Sequence, residues 1–357
     1  MRRGGRRCLP WTCVLLGVTS GLVTAQQNNP DAVIDAIRSR TEIGESDERR
    51  IADWVQARVD EFSDHASFVE RLIGCFENAS NTDLFRTKLC DQTAEIAETT
   101  FARPDLNRDL AFGLARVLVE MGLPEALPGF LAGLKSADPR ARYLSATGLV
   151  AQRRAVSGTQ TTLDQAVRAL RDAGVAETAP VALGRIYEAL AVRGQVGAVF
   201  DAYLAIFDKR LERRRAAALR VDGAEIHAFE FLRRSDVVSA LDQNQRAELV
   251  RRVAVFMRLD AGRYNDPKIA PPTDETTPDL NFDERDRIER LLDAEEEILE
   301  AIVGAGGGGK IRDILSSRGS AAAQSVLNEV YVWVGNAATN ASGPLNEAPW
   351  NVPVGAP

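Results

Sequence analysis

Apolar residues recur every three or four positions along most of the chain, which is the spacing of one buried face on an α-helix. Residues 46–62 show this spacing clearly, with the following apolar stripe: Ile51, Trp54, Val55, Val59 and Phe62. Prolines, glycines and short polar runs separate such segments, and Pro104 and Thr162 are placed to begin two of them. No alternating β-branched run of useful length lies between the turns. The pattern therefore predicts an all-α protein.

The clearest unit of this pattern is Leu123–Arg153, which is predicted to form two short helices hinged at Asp138 and Pro139. The Asp138 carboxylate is placed to cap the second helix, and Pro139 suits its first position because the amide hydrogen that proline lacks would be unpaired there. Ala146 and Leu149 then fall on the inward face of that helix. Such a hairpin cannot cover its own apolar face, so it requires similar hairpins on both sides.

The second helix of this unit resembles the second helix of a HEAT repeat at these positions: Asp138, Pro139, Ala141, Arg142, Ser145, Ala146 and Leu149. The resemblance covers one repeat, and other segments are looser copies of it. It implies an α-solenoid of stacked antiparallel helical hairpins that binds partners along its surface. Within such a repeat, these residues are structural parts of the stack: Asp138, Pro139, Arg142, Ala146 and Leu149.

Beyond this unit, the sequence divides into a signal peptide at 1–25, a HEAT-like helical repeat domain at 26–264, a proline-rich linker or loop at 265–279, a helical segment at 280–335 and an extended proline-rich tail at 336–357. Trp350 is expected to anchor the tail to the body, because a large apolar ring is more often buried than exposed.

The first 25 residues have the pattern of a secretory signal peptide. Four arginines precede a mostly apolar run, Cys13–Val23, and a small-residue cleavage pattern ends at Ala25. A membrane anchor is the alternative, but this run is too short to span about 30 Å of hydrocarbon as a helix. We therefore expect export to the periplasm or the extracellular space, without stable membrane insertion after cleavage.

The formal charge is −7 at pH 7, and removal of the four leading arginines makes it −11, which argues against non-specific binding to nucleic acid. Residues 209–263 carry a local charge of +5, whereas residues 273–302, which contain a predicted long acidic helix, carry −9. Solvated helix faces are the simplest interpretation, because exposed ion pairs contribute little. The alternatives are that the acidic helix docks on the basic segment or binds a basic partner.

Cys75 and Cys90 remain after cleavage of the signal peptide. In an oxidising compartment they could form a disulfide that contributes ~3 kcal/mol of stability. Two buried free thiols on neighbouring helices are the alternative, since spacing alone does not guarantee compatible geometry. The sequence leaves both possibilities open.

Residues 304–310, GAGGGGK, are spaced like a phosphate-binding loop, but Ile311 stands where a serine or threonine is required and a helix precedes the segment instead of a strand. A turn between two helices is the better interpretation. His65 and His227 are the only histidines, and neither has a second ligand at zinc-binding spacing. We therefore assign no catalytic, cofactor-binding or metal-binding residue and expect no cofactor.

These observations favour an exported, non-catalytic module that binds or scaffolds another protein. The alternative is an exported all-α hydrolase or lyase of the α/α-toroid type, which would act on polysaccharide through paired carboxylates. The 51 acidic residues supply many candidate pairs, and the sequence does not give their separations. An aromatic cleft with two facing carboxylates would favour the enzyme.

Overall fold

The structure, a computed structural model, describes residues 30–216, 220–269, 281–304, 310–316 and 322–354. Within these ranges the chain is mainly α-helical, and the only β-type pairing is one antiparallel bridge between Asn336 and Ala341. The prediction of an all-α protein is therefore confirmed. The predicted signal peptide, and the predicted linker beyond Ile269, lie outside the described residues.

The α-helices are numbered in chain order as follows: α1 (Pro30–Ile37), α2 (Glu45–Asp60), α3 (His65–Phe76), α4 (Asp83–Phe101), α5 (Arg108–Met121), α6 (Leu127–Gly133), α7 (Pro139–Ala151), α8 (Arg153–Val156), α9 (Gln160–Ala176), α10 (Pro180–Leu190), α11 (Val196–Arg215), α12 (Ile226–Leu232), α13 (Ser235–Ala240), α14 (Gln243–Tyr264), α15 (Phe282–Val303), α16 (Lys310–Ser316) and α17 (Ala322–Val334). Short 3₁₀ helices occur at Pro124–Ala126 and Pro344–Asn346.

Contacts between the helices follow two rows. In the first row, α2, α4, α6, α9, α11, α14 and α17 contact one another in that order. In the second row, α3, α5, α7, α10, α12 and α15 do the same. Helices that are neighbours in sequence also pack across the rows, as α6 does with α7 and α9 with α10. The apolar faces thereby join into one hydrophobic core that extends from Ile34 to Val352.

The predicted hairpin of Leu123–Arg153 is confirmed as the pair α6 and α7. Asp138 accepts a hydrogen bond from the Arg140 amide at 2.9 Å, and Pro139 is the first residue of α7. The two helices approach closely because α7 carries Gly148, where an added Cβ would lie 2.3 Å from the Phe130 ring of α6. Sequence signals and close packing therefore agree in this unit.

Two helices begin at different residues from those predicted. Helix α5 begins at Arg108, beyond Pro104, because the Asn107 side chain accepts hydrogen bonds from the amides of Asp109 and Leu110 and so caps the helix. Helix α9 begins before Thr162, because the Thr159 hydroxyl accepts a hydrogen bond from the Thr162 amide at 3.1 Å. In both cases a second polar residue nearby is the actual cap.

Helix α15 packs against α12 and α14 and does not simply expose its polar faces. Arg263 donates to Glu284 at 3.0 Å, the Tyr264 hydroxyl donates to Glu289 at 2.9 Å, and Arg233 pairs with Glu297. Two further acidic side chains of this helix are buried: Glu295 and Glu296. The interpretation of these charges as solvated faces is therefore wrong for those two residues.

The last described segment, residues 336–354, packs onto the helical body. Trp350 is buried, as its size predicts, and its carbonyl oxygen accepts a hydrogen bond from Arg251 of α14 at 3.0 Å. The Asn346 side chain donates to the carbonyl oxygens of Val334 and Val352 and ties the segment to the end of α17. Among the helices that the structure describes, none has the length and apolar character needed to cross a membrane.

Candidate functional site

Arg142, which the HEAT resemblance singles out, links two neighbouring helical pairs. Its Nε and Nη2 donate to the two carboxylate oxygens of Glu177 at 2.6 and 2.7 Å, and its Nη1 donates to the Ser136 carbonyl oxygen at 2.8 Å. The Glu177 carboxylate also accepts from the amides of Thr178 and Ala179, just before α10. This bidentate pair therefore joins α7 to the start of α10.

Burial by itself raises the pKa of Glu177, but the Arg142 guanidinium and the two amides outweigh it, and the pKa lies below its ordinary value. The other positions of the resemblance point into the stack, since Ala146 and Leu149 are buried in the core. These contacts hold neighbouring helices together.

An open cavity of about 310 Å³ lies on the second row of helices. Its lining comes from α7, from one side of α10, from the turn at residues 222–224 and from α12. We call it the Tyr143–His227 groove and define it by the following side chains: Tyr143, Val181, Arg185, Glu188, Asp222 and His227. Its size is at the lower end of the range for ligand-binding pockets.

Four polar side chains of the groove form a connected chain of contacts. The Arg185 guanidinium lies 5.5 Å from the centre of the Tyr143 ring, and its Nη2 donates to the Tyr143 hydroxyl at 3.4 Å. Arg185 also pairs with Glu188, whose other carboxylate oxygen lies 3.3 Å from Nδ1 of His227. The hydrogen bond to Tyr143, followed by the nearby Glu188 charge, raises the pKa of Arg185 above its ordinary value.

The backbone of α10 shapes the groove. An added Cβ at Gly184 would lie 2.8 Å from the His227 ring, so glycine is what allows this imidazole to lie against α10. One turn before, Val181 is 71% exposed, the largest exposed fraction among the large hydrophobic side chains of the described chain. The groove therefore combines an exposed apolar side chain with a guanidinium, a carboxylate and an imidazole.

Behind the groove, buried arginines hold the turn that forms its wall. Arg210 of α11 donates to Asp222 at 2.7 Å and to Glu225 at 2.5 Å. Arg214, one turn further along α11, donates to the other Glu225 oxygen at 2.8 Å and pairs with Asp260 of α14. All five side chains are nearly inaccessible to solvent. We call them, together with the adjacent Glu295, the buried ionic cluster.

The protonation state of Glu295 sets the net charge of the buried ionic cluster. Burial, and next the neighbouring Asp260 charge, raises the pKa of Glu295 well above its ordinary range. Burial likewise raises the pKa of Asp260, although Arg214 opposes this. Two guanidinium groups face four carboxyl groups here, so full ionisation would leave two uncompensated negative charges in the core. A neutral Glu295 reduces that imbalance and can donate a hydrogen bond to Asp260.

Nothing in the sequence pattern singles out the members of the buried ionic cluster. The available signal was the opposite charge of two neighbouring segments, residues 209–263 and 273–302. Helical spacing could also have placed Arg210 and Arg214 on one face of α11, since they are four residues apart. Their partners in α14 and α15 are set by tertiary packing.

The two cysteines are free and buried, on α3 and α4. Burial raises the pKa of Cys75 to about 11 and that of Cys90 to about 12, so both thiols are neutral at pH 7 and poor nucleophiles. Of the two possibilities that the sequence leaves open, the structure contains the buried thiols.

The remaining chemical expectations concern metals and nucleotides. Within the described ranges, no cluster of three or more histidine, cysteine, aspartate or glutamate side chains could hold a metal ion. His65 contacts the Phe112 ring, and His227 belongs to the groove. Of the glycine-rich stretch at 304–310, residues 305–309 lie outside the described residues, and Gly304 follows the last residue of α15.

No protein-family model, no curated protein and no solved structure matches this chain. The fold defines its class, an all-α protein of packed helical pairs. The groove lining places hydrogen-bonding side chains next to the exposed Val181.

Proposed function

We propose that this chain is an exported, non-catalytic module that binds or scaffolds another protein, built as an α-solenoid of stacked HEAT-like hairpins with the acidic helix α15 docked near its C-terminal end. The order of helix contacts in two rows is the observation that carries the proposal. In stacked-repeat proteins each repeat contacts its neighbours, and the rows create extended binding surfaces. The Arg142–Glu177 pair between successive units supports the same arrangement.

The Tyr143–His227 groove is the proposed binding surface. Tyrosine and arginine dominate the binding energy of protein interfaces, and both are present here in contact with each other. Val181 offers an exposed apolar anchor, while Glu188 and Arg185 offer an acceptor and a donor for a peptide backbone or a polar side chain. The partner is a protein segment that places an apolar residue on Val181.

A polysaccharide-degrading enzyme is the second candidate. Such enzymes require two carboxyl groups that face the substrate across the scissile bond. The two carboxylates that line the Tyr143–His227 groove, Glu188 and Asp222, are paired with arginines. Asp260 and Glu295 are 1% and 0% exposed and belong to the buried ionic cluster. This burial favours the binding module, and assays of the purified protein on soluble polysaccharides test the ranking directly.

The decisive experiment is affinity capture from the exported fraction of the source cells, followed by a binding titration with the captured protein. Wild type and Val332→Glu, which alters the 52% exposed valine of α17, are expected to bind equally. Val181→Glu is expected to lose binding, because it places a charge on the apolar anchor. Equal binding by all three proteins would exclude the groove as the binding surface. If no protein binds saturably, the proposal of a protein-binding module is refuted.

Export has its own measurement. If the signal peptide is removed after Ala25, amino-terminal sequencing of the secreted protein reads from Gln26. A secreted or periplasmic protein that retains Met1 would contradict this part of the proposal.

A further inference from the structure

A second cavity, of about 470 Å³, lies at the opposite end of the chain from α17, among the first three helices. Three arginines line it: Arg38, which follows α1, Arg58 of α2 and Arg71 of α3. We call it the arginine pocket and define it by these residues: Asp31, Arg38, Trp54, Arg58, Arg71 and Cys75. It does not share a residue with the Tyr143–His227 groove.

One of the three arginines is fully engaged within the protein. Arg58 donates to Asp31 at 2.6 Å and to Glu61 at 2.8 Å, and its guanidinium lies 5.2 Å from the centre of the Trp54 ring. The Trp54 indole also donates to Asp31, at 2.8 Å. The Trp54 bond and the Arg58 charge hold the pKa of Asp31 below its ordinary value. This part of the pocket is a rigid wall, since every group in it has a partner.

The other two arginines have N–H groups that make no hydrogen bond in the described chain. Arg71 of α3 is exposed and makes no hydrogen bond or ion pair in the described chain, although its charge acts on Asp31. Arg38 pairs with Asp35 through Nη2, and its Nη1 makes no hydrogen bond in the described chain. A ligand oxygen in the pocket would find unpaired N–H donors on both arginines.

The remaining surface of the pocket is neutral. Ile34 is apolar and buried, and the Cys75 thiol is protonated because burial raises its pKa to about 11. Gly74 leaves the space beside α3 open, as an added Cβ there would meet no heavy atom within 4 Å. Within the lining that the structure describes, Asp31 is the one carboxylate, and the charge of Arg71 acts on it.

We propose that the arginine pocket binds a small anion with a carboxylate or phosphate group. The planar guanidinium fork matches two oxygens of either group, and charge-assisted hydrogen bonds of this type are stronger than those between neutral groups. Arg71 supplies the fork, the Arg38 Nη1 supplies a second donor, and Asn78 belongs to the lining. The cavity has the volume of a small-molecule site.

The test is isothermal titration calorimetry of the full chain with inorganic phosphate and, separately, with acetate, at constant ionic strength. Saturable one-to-one binding is expected for at least one of them, and the tighter ligand identifies the recognised group. Arg71→Gln is expected to weaken binding by about tenfold or more, the loss of one charge-assisted fork. Arg49→Gln, on the exposed side of α2, is the matched control and is expected to bind like wild type.

A second variant tests the pocket by filling its space, without a change of charge. Gly74→Leu fills open space without a backbone clash, so it is expected to fold, as far-UV circular dichroism would show, and to lose binding. Absence of saturable binding to both anions by the wild type would overturn the proposal. So would equal weakening by Arg71→Gln and Arg49→Gln, or full binding by Gly74→Leu, because a non-specific surface effect would then account for the heat.

Discussion

Replacement of Glu295 by glutamine tests the charge state of the buried ionic cluster. Both carboxylate oxygens of Glu295 lack a hydrogen-bond donor in the described chain, while Arg214 already donates to Glu225 and to Asp260. If Glu295 is neutral, glutamine preserves its shape and its hydrogen-bonding capacity. At about pH 5, close to the unfolded pKa, the free energy of unfolding is then expected to change by less than about 1 kcal/mol.

The larger expected effect is on the pH dependence of the free energy of unfolding. The folded-state pKa of Glu295 lies above the unfolded value, so the folded protein binds the extra proton. Its contribution to stability is fully present below the unfolded pKa of 4.5 and is lost as the pH rises through the folded pKa. Within that window the wild type loses up to about 1.4 kcal/mol per pH unit relative to Glu295→Gln.

The assay is urea unfolding followed by far-UV circular dichroism, repeated at intervals from about pH 5 to pH 9. Glu98→Gln, which changes an exposed glutamate of α4, serves as the control and is expected to follow the wild-type curve. If Glu295→Gln instead lost about 3–5 kcal/mol at every pH, Glu295 would be an ionised partner of the arginines and the reasoning would be refuted.

Three further experiments probe the packing of the helices and the state of the cysteine thiols. Arg142→Met leaves the buried Glu177 carboxylate without its guanidinium and is expected to lower the free energy of unfolding by about 3 kcal/mol, measured in urea at pH 7; an unchanged midpoint would contradict the structural role of this pair. Gly148→Ala is expected to cost about 1–3 kcal/mol by overpacking, whereas Gly262→Ala, where the Cβ meets open space in a helix, is expected to stabilise by about 0.5–1 kcal/mol; the same sign for both would contradict the packing. Non-reducing mass mapping is expected to find the two cysteines as free thiols that react with alkylating reagent only after unfolding, and a bridged peptide would show the other state.

Local signals were sufficient for most of the helices. Pro139 with Asp138 identifies a helix end, and the apolar stripe of residues 46–62 identifies a helix face, without knowledge of their neighbours. The errors at Pro104 and Thr162 arose where two polar residues compete to cap one helix. The choice between them depends on how the preceding chain enters the helix, which the sequence pattern does not specify.

The candidate site could not be predicted in the same way. The groove extends from Tyr143 of α7 across α10 to His227 of α12, and no spacing rule connects such distant positions. Burial of Glu295 is likewise invisible in a helix whose composition is acidic, because the charge of a residue says nothing about which neighbours it meets. Only the path of the whole chain brings these groups together.

The two rows of helices also bear on the order in which the chain can fold. Bonds between successive pairs span short stretches of sequence, as the 35 residues between Arg142 and Glu177 illustrate. Closing such short loops costs little entropy, so each pair can pack as soon as the next one is available. The buried ionic cluster is different, because Arg214 must wait for Asp260 and Glu295. Its completion therefore requires α11, α14 and α15 to be packed together.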